Sequence, residues 1–152
     1  MGTMQIKYNI ISLKETEFKI NYDCKLNDKE ELTFELFHRE RADNEAKSVI
    51  VEATARIVNA QDESPLAVDT VRAEFAVVPF DEVIKQEDEN SFKSSVPQLI
   101  DTFINVTLGA LRGFFAKNLV GTYLDGVVLP LIPMKDISES HKRTPKKKNT
   151  ES

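Results

Sequence analysis

Histidines, cysteines and clustered carboxylates are the side chains from which acid–base, nucleophilic and metal chemistry is built. This chain of 152 residues places them far apart. His38 stands beside Arg39 in an alternating stretch, with no cysteine or acid cluster at ligand spacing, and His141 falls in a polar, basic C-terminal segment. Cys24 is the one cysteine, so neither an intramolecular disulfide nor a cysteine-based zinc site is available. It closes an alternating run and reads as a small buried side chain. The carboxylate runs Glu30-Glu31 and Glu87-Asp88-Glu89 have the character of solvated loops. The five glycines are scattered, none between a strand and a helix at the spacing of a phosphate-binding loop. No serine lies in a strand–turn–helix nucleophile context. The chain therefore reads as a non-enzymatic binding protein, with no metal site and no cofactor.

Charge narrows the kind of partner. The chain carries a net charge of −5, unevenly spread. Residues 135–152 hold six basic and three acidic residues, including the run Lys146-Lys147-Lys148, while residues 1–134 hold 14 basic and 22 acidic ones, a net of −8. A body this acidic disfavours nucleic-acid binding by the folded part. The basic tail could meet an acidic protein, nucleic acid or a membrane surface, or simply be a solubilising extension. The most apolar stretch, 99–120, is interrupted by Asp101, Arg112 and Lys117, which argues against membrane insertion. With no signal peptide evident in residues 1–13, a cytoplasmic location is expected.

The elements that must carry any binding surface follow from periodicity. Met4, Ile6, Tyr8 and Ile10 alternate with polar residues, the phase slips at Ile10-Ile11, and Phe18, Ile20, Tyr22 and Cys24 restore it. That pattern predicts one bent strand, or two, with a bulge at the slip. Leu32, Phe34 and Leu36 begin a second strand. Val49, Val51, Ala53, Ala55 and Ile57 mark one face of a third over 48–59. Val71, Ala73, Phe75 and Val77 mark the same face of a fourth over 66–78. Polar breaks at Asn27-Asp28, 42–45 and 62–65 separate them, so an antiparallel meander is expected. Residues 81–90 read as an acidic linker or weak helical turn. Ser95 as N-cap, Pro97 in the first turn and Gln98 then start a helix of about 23 residues, roughly 35 Å long.

That helix has more apolar surface than one sheet can cover. Leu99, Phe103, Val106, Ala110 and Phe114 form one stripe, and Ile100, Ile104, Leu111 and Phe115 form a second beside it. Two arrangements would cover the excess. The apolar segment after Gly121 could fold back over the helix, or identical helices could pack across a symmetric interface. Gly109 and Gly113, four residues apart, favour the second, because mid-helix glycine costs about 0.5–1 kcal/mol relative to alanine. The expected oligomer interface is Phe103, Val106, Gly109, Ala110, Gly113 and Phe114.

The order of parts is four antiparallel strands, a long helix, the step Gly121-Thr122-Tyr123, and an apolar segment from Leu124 through Pro130-Leu131-Ile132-Pro133. It resembles the SecB family of export chaperones and its divergent SecB-like relatives. The distinctive residues lie within 108–133. The pattern and the resemblance agree on an α+β fold and a single domain over 1–134, while 135–152, with Ile137 as its one large apolar residue, is expected to be a disordered basic tail. The resemblance further implies a homo-oligomer, a dimer or dimer of dimers. It also implies apolar grooves that hold unfolded or extended polypeptide clients, either in export or for a dedicated client such as an antitoxin. The alternative is a module that binds one folded partner without general chaperone activity. The groove candidates are Tyr123, Leu124, Val127, Val128, Leu129 and Leu131, with Phe34 and Leu36 from the sheet. Two features depart from the family. No amphipathic pattern for a second helix follows Lys135, and Glu52, Arg56, Arg72 and Glu74 mix both signs where the family presents an acidic face. Docking to the translocase motor is therefore left open.

Overall fold

The computed structural model of the chain describes residues 5–23, 32–61, 63–88 and 91–131. Cys24, Glu30, Glu31, His141 and the tail lie outside them. Four long strands, β1 (Lys7–Ile20), β2 (Leu32–Asp43), β3 (Ser48–Asn59) and β4 (Pro65–Val78), form one antiparallel sheet. The order is β1-β4-β3-β2. Hairpins join β2 to β3 and β3 to β4, as a meander requires, but β1 pairs with the far side of β4 instead of with β2. Chain length explains that one difference. The breaks between β2 and β3 and between β3 and β4 are hairpin-sized, whereas β1 and β2 are separated in sequence by residues 21–31, more than a usual hairpin connection. Consequently β1 and β2 are the two edges of the sheet.

The slip seen at Ile10-Ile11 is a register shift between Ile10 and Ser12, and a second shift falls between Glu15 and Glu17. Each inserts a residue that alternation alone would have moved to the other face. Together they keep Tyr8, Ile10, Leu13, Phe18 and Ile20 in line with Val77, Phe75, Ala73, Asp69 and Ala67 of β4. One continuous bent strand results.

The inner face of the sheet is the floor of the core. Val49, Val51, Ala53, Ala55 and Ile57 on β3 and Val71, Ala73, Phe75 and Val77 on β4 are all buried. Small side chains at Ala53, Ala55 and Ala73 let the long helix α2 (Pro97–Asn118) lie close over these two central strands. The ring of Phe103 stacks on Phe75 at 4.1 Å and meets Tyr8 edge-on at 5.5 Å, and Phe115 meets Phe18 edge-on at 6.2 Å. Hydrophobic burial on this scale, about 25 cal/mol per Å² of apolar surface, fixes the helix on the sheet. By length and composition alone α2 could also cross a bilayer, but its apolar stripe of Leu99, Ile100, Phe103, Ile104, Leu108, Leu111 and Phe115 is buried in this core.

Between sheet and helix the chain is more ordered than an acidic linker. One helical turn, α1 (Phe80–Val83), precedes a hairpin of β5 (Ile84–Asp88) and β6 (Ser91–Ser94). Phe80, Val83 and Ile84 are buried, so the turn exists to drop three apolar residues into the end of the core. Ser95 does not cap α2. Its N–H donates to Val83 O at 2.8 Å, holding the hairpin, and Val96 is the N-cap with no side-chain cap bond. Pro97 occupies the first turn, where its missing N–H costs nothing.

Candidate polypeptide-binding site

The segment after α2 is built by the Gly-Thr-Tyr step. Leu119 closes the helix, and Gly121 takes φ +83°, a left-handed conformation open to glycine, which turns the chain back along the helix. The Thr122 hydroxyl donates to Leu119 O at 2.7 Å, which also accepts from Thr122 N–H at 3.0 Å, and it accepts from Leu124 N–H at 3.1 Å, so one side chain ties the helix end to the turn. Gly121 N–H donates to Asp125 Oδ2 at 2.9 Å, and Tyr123 Oη donates to Asn21 O at 2.6 Å, pinning the turn to the end of β1. A second left-handed residue, Gly126 at φ +88°, lets Val127 and Leu129 fold inward.

The candidate groove residues divide into two groups. Leu124, Val127 and Leu129 are buried, and Tyr123 is half-buried against the same core, so the segment folds back over the helix. Val128 and Leu131 point outward, 55% and 81% exposed. On the sheet side Phe34 and Leu36 are half-buried on the inner face of β2. With Leu108, Arg112, Leu129 and Pro130 they line an apolar pocket of about 70 Å³, open to solvent. That is about half the volume of the engineered ~150 Å³ cavity that holds a benzene ring. It has room for the end of one apolar side chain. β2 is an edge strand, so the pocket lies beside a strand with one side left unpaired by the sheet.

Arg112 forms one wall of this pocket and was visible in the sequence only as an interruption of the apolar stripe. Its Nε donates to Leu129 O and its Nη2 to Pro130 O, both at 3.1 Å. The guanidinium therefore fastens the returning segment to the helix by its backbone. Farther along the same face of β2, His38 Nδ1 lies 2.6 Å from Glu40 Oε2. Residues two apart on a strand share a face, so this pairing was readable from alternation, although no acid is adjacent to His38 in sequence. No group of three or more His, Cys, Asp or Glu able to hold a metal occurs among the described residues.

The expected interface residues also separate. Phe103 is fully buried and belongs to the core beneath the helix, because its side chain points at Phe75. Val106 is 44% exposed, Gly109 and Gly113 are exposed, and Ala110 and Phe114 are half-buried. A Cβ added at Gly109 or Gly113 would meet nothing within 4 Å. Tyr8, Ile10, Ile11 and Leu13 on the edge strand β1 are also largely exposed.

One buried polar group sits beneath the C-terminal end of α2. Asp69, on the inner face of β4, is fully buried and faces Glu15 of β1, and Asn118 Nδ2 donates to Glu15 Oε2 and to Asp69 Oδ2. Burial, then hydrogen bonding to Glu15 and the charge of Glu15, push the Asp69 carboxyl up to about 8 from its ordinary 3.8, against the opposing pull of Asn118 and the Thr70 backbone. Asp69 thus carries its proton at neutral pH.

The fold is shared with a solved structure. The SecB-like chaperone Rv1957 of Mycobacterium tuberculosis, solved with a ChAD peptide from the antitoxin HigA1, superposes with a TM-score of 0.55 at 15% identity, over 83% of this chain and 91% of that one. The fold is SecB-like. A protein of unknown function from Streptococcus agalactiae aligns at a TM-score of only 0.41 and 12% identity, over 84% of this chain and all of that one. No family model and no curated protein matches the sequence.

Proposed function

We propose that the chain is a SecB-like holdase that binds extended, non-native segments of other polypeptides in the groove between β2, α2 and the segment 119–131. The observation that carries this is the half-open apolar pocket of Phe34, Leu36, Leu108, Arg112, Leu129 and Pro130 beside an edge strand. An extended client needs both parts, apolar area for a side chain and a free strand edge for its main chain. The shared fold with a chaperone solved around an antitoxin peptide supports the same reading, and makes a dedicated client of that kind a natural case. Suppression of aggregation of an unrelated unfolded protein at near-stoichiometric ratio tests it. Protection that is lost in Leu36→Glu is the expected result. If no unfolded substrate is protected and a single folded partner is captured instead, the chain is a dedicated interaction module.

The same reading includes a homo-oligomer, a dimer or dimer of dimers, assembled through Val106, Gly109, Ala110, Gly113 and Phe114. Nothing among the described residues requires glycine at 109 or 113, since added Cβ atoms meet open space there. Two mid-helix glycines together cost the fold about 1–2 kcal/mol. Close approach of a second copy is the packing reason that would retain them.

A further inference from the structure

We propose that the pocket selects extended segments in which an apolar side chain lies two residues from a carboxylate, and that Arg112 is the residue that reads the carboxylate. This rests on the polypeptide-binding reading above and adds the chemistry of the client to it. Arg112 is the one charged residue among the six that line the pocket. Its two hydrogen bonds run to the backbone carbonyls of Leu129 and Pro130, which orient the guanidinium without neutralising it. It makes no ion pair among the described residues, and of its five N–H donors the pair on Nη1 has no acceptor there. A half-buried, oriented and uncompensated guanidinium matches a carboxylate fork to fork, as lysine does not.

The spacing follows from strand geometry. Residues of an extended client advance about 3.3 Å each and alternate in face, so a carboxylate two positions from the residue in the pocket shares its face, roughly 6–7 Å along, within reach of the pocket wall. A basic residue at the same place meets a like charge. The acidic body, net −8 over residues 1–134, opposes acidic clients only at long range. At physiological ionic strength that field is screened beyond about 8 Å, and the local charge decides.

The test uses the full chain and short fluorescein-labelled peptides of one polar background with a central leucine and, two positions to either side of it, aspartate, asparagine or lysine, with affinity read by anisotropy. The expected order is aspartate, then asparagine, then lysine, with about a tenfold gain for aspartate over asparagine. Arg112→Gln should bring that ratio close to one, and Leu36→Glu should remove binding of all three. Equal binding of the three peptides to the unaltered protein, still lost in Leu36→Glu, overturns the charge selection and leaves the groove in place. If no peptide binds, or Leu36→Glu changes nothing, the groove itself is refuted. Should Arg112→Gln loosen the segment and weaken every peptide alike, the ratios on the unaltered protein still decide the matter.

Discussion

The stripe of α2 that the sequence treats as one surface is two, and a pair of substitutions separates them. Phe103 is fully buried, stacked at 4.1 Å and 5° on Phe75, with Tyr8 edge-on at 5.5 Å. Phe103→Ala removes a phenyl group stacked on the buried Phe75 and leaves a cavity in the core, so the loss should be near the usual 3–5 kcal/mol for Phe→Ala in a core. Against a total stability of about 5–15 kcal/mol for a domain, that is a large fraction. Val106, three residues along and 44% exposed, makes no comparable contact, so Val106→Asp should cost the protomer under about 1 kcal/mol. Urea denaturation measures both, and light scattering measures mass. The expected pair of results is a strongly lowered midpoint with Phe103→Ala, and an unchanged fold but lowered mass with Val106→Asp. A Phe103→Ala loss below 1 kcal/mol would refute the placement of Phe103 in the core. A protein that is monomeric at tens of micromolar before any substitution would refute the oligomer.

Three further outcomes follow from named contacts. Because Asp69 holds its proton to about pH 8 when folded but ionises near 3.8 when unfolded, its contribution is complete below pH 3.8 and is lost as pH rises towards 8. Asp69→Asn should abolish that slope, at most about 1.4 kcal/mol per pH unit, so its urea midpoint should gain on the parent between pH 5 and 8; parallel profiles would contradict the buried proton. Gly109→Ala with Gly113→Ala should raise protomer stability by about 1–2 kcal/mol while weakening the oligomer, measured by thermal melts and by mass against concentration. Thr122→Val should cost about 1–2 kcal/mol, since the hydroxyl bridges Leu119 O and Leu124 N–H, with amide exchange rising first at Leu124.

Alternation made the four strands, their shared inner face and the first bulge legible, because burial on one face leaves a period-2 trace at positions such as Val49, Val51 and Ala53. The helix limits were legible for the same reason, with Pro97 at one end and Gly121 beyond the other. Sheet order was not, since period 2 fixes which face a residue takes and says nothing of which strand lies beside it. The small hairpin escaped because Phe80, Val83 and Ile84 are only three apolar residues in an acidic stretch. Of the residues that line the pocket, Phe34, Leu36 and Leu129 are among the groove candidates read from the sequence, whereas Pro130 and the helix residues Leu108 and Arg112 are not. The two helix residues sit on a face that only the returning segment turns into a pocket wall. Asp69 follows strict alternation between Ala67 and Val71, so its inward direction was available, but its meeting with Glu15 depends on the second bulge of β1.

Helix geometry then decides whether client binding and assembly compete. At about 100° per residue, Ala110 and Phe114 lie within roughly 20° of Phe103, on the flank of α2 that meets Tyr8 of β1. Leu108 and Arg112 lie roughly 140° and 180° from Phe103, on the flank that faces Phe34 and Leu36 of β2. The returning segment is tied to this second flank by the hydrogen bonds of Arg112 to Leu129 and Pro130. On the proposed reading, a second copy seated on Val106, Ala110, Gly113 and Phe114 lies roughly 100° or more from Arg112 and leaves the pocket open, while Gly109, about 60° from Arg112, is where the two surfaces come nearest. A holdase that remains assembled while loaded needs that separation. It also accounts for a helix more apolar than its own sheet can cover, because each of its three sides then has a different apolar partner.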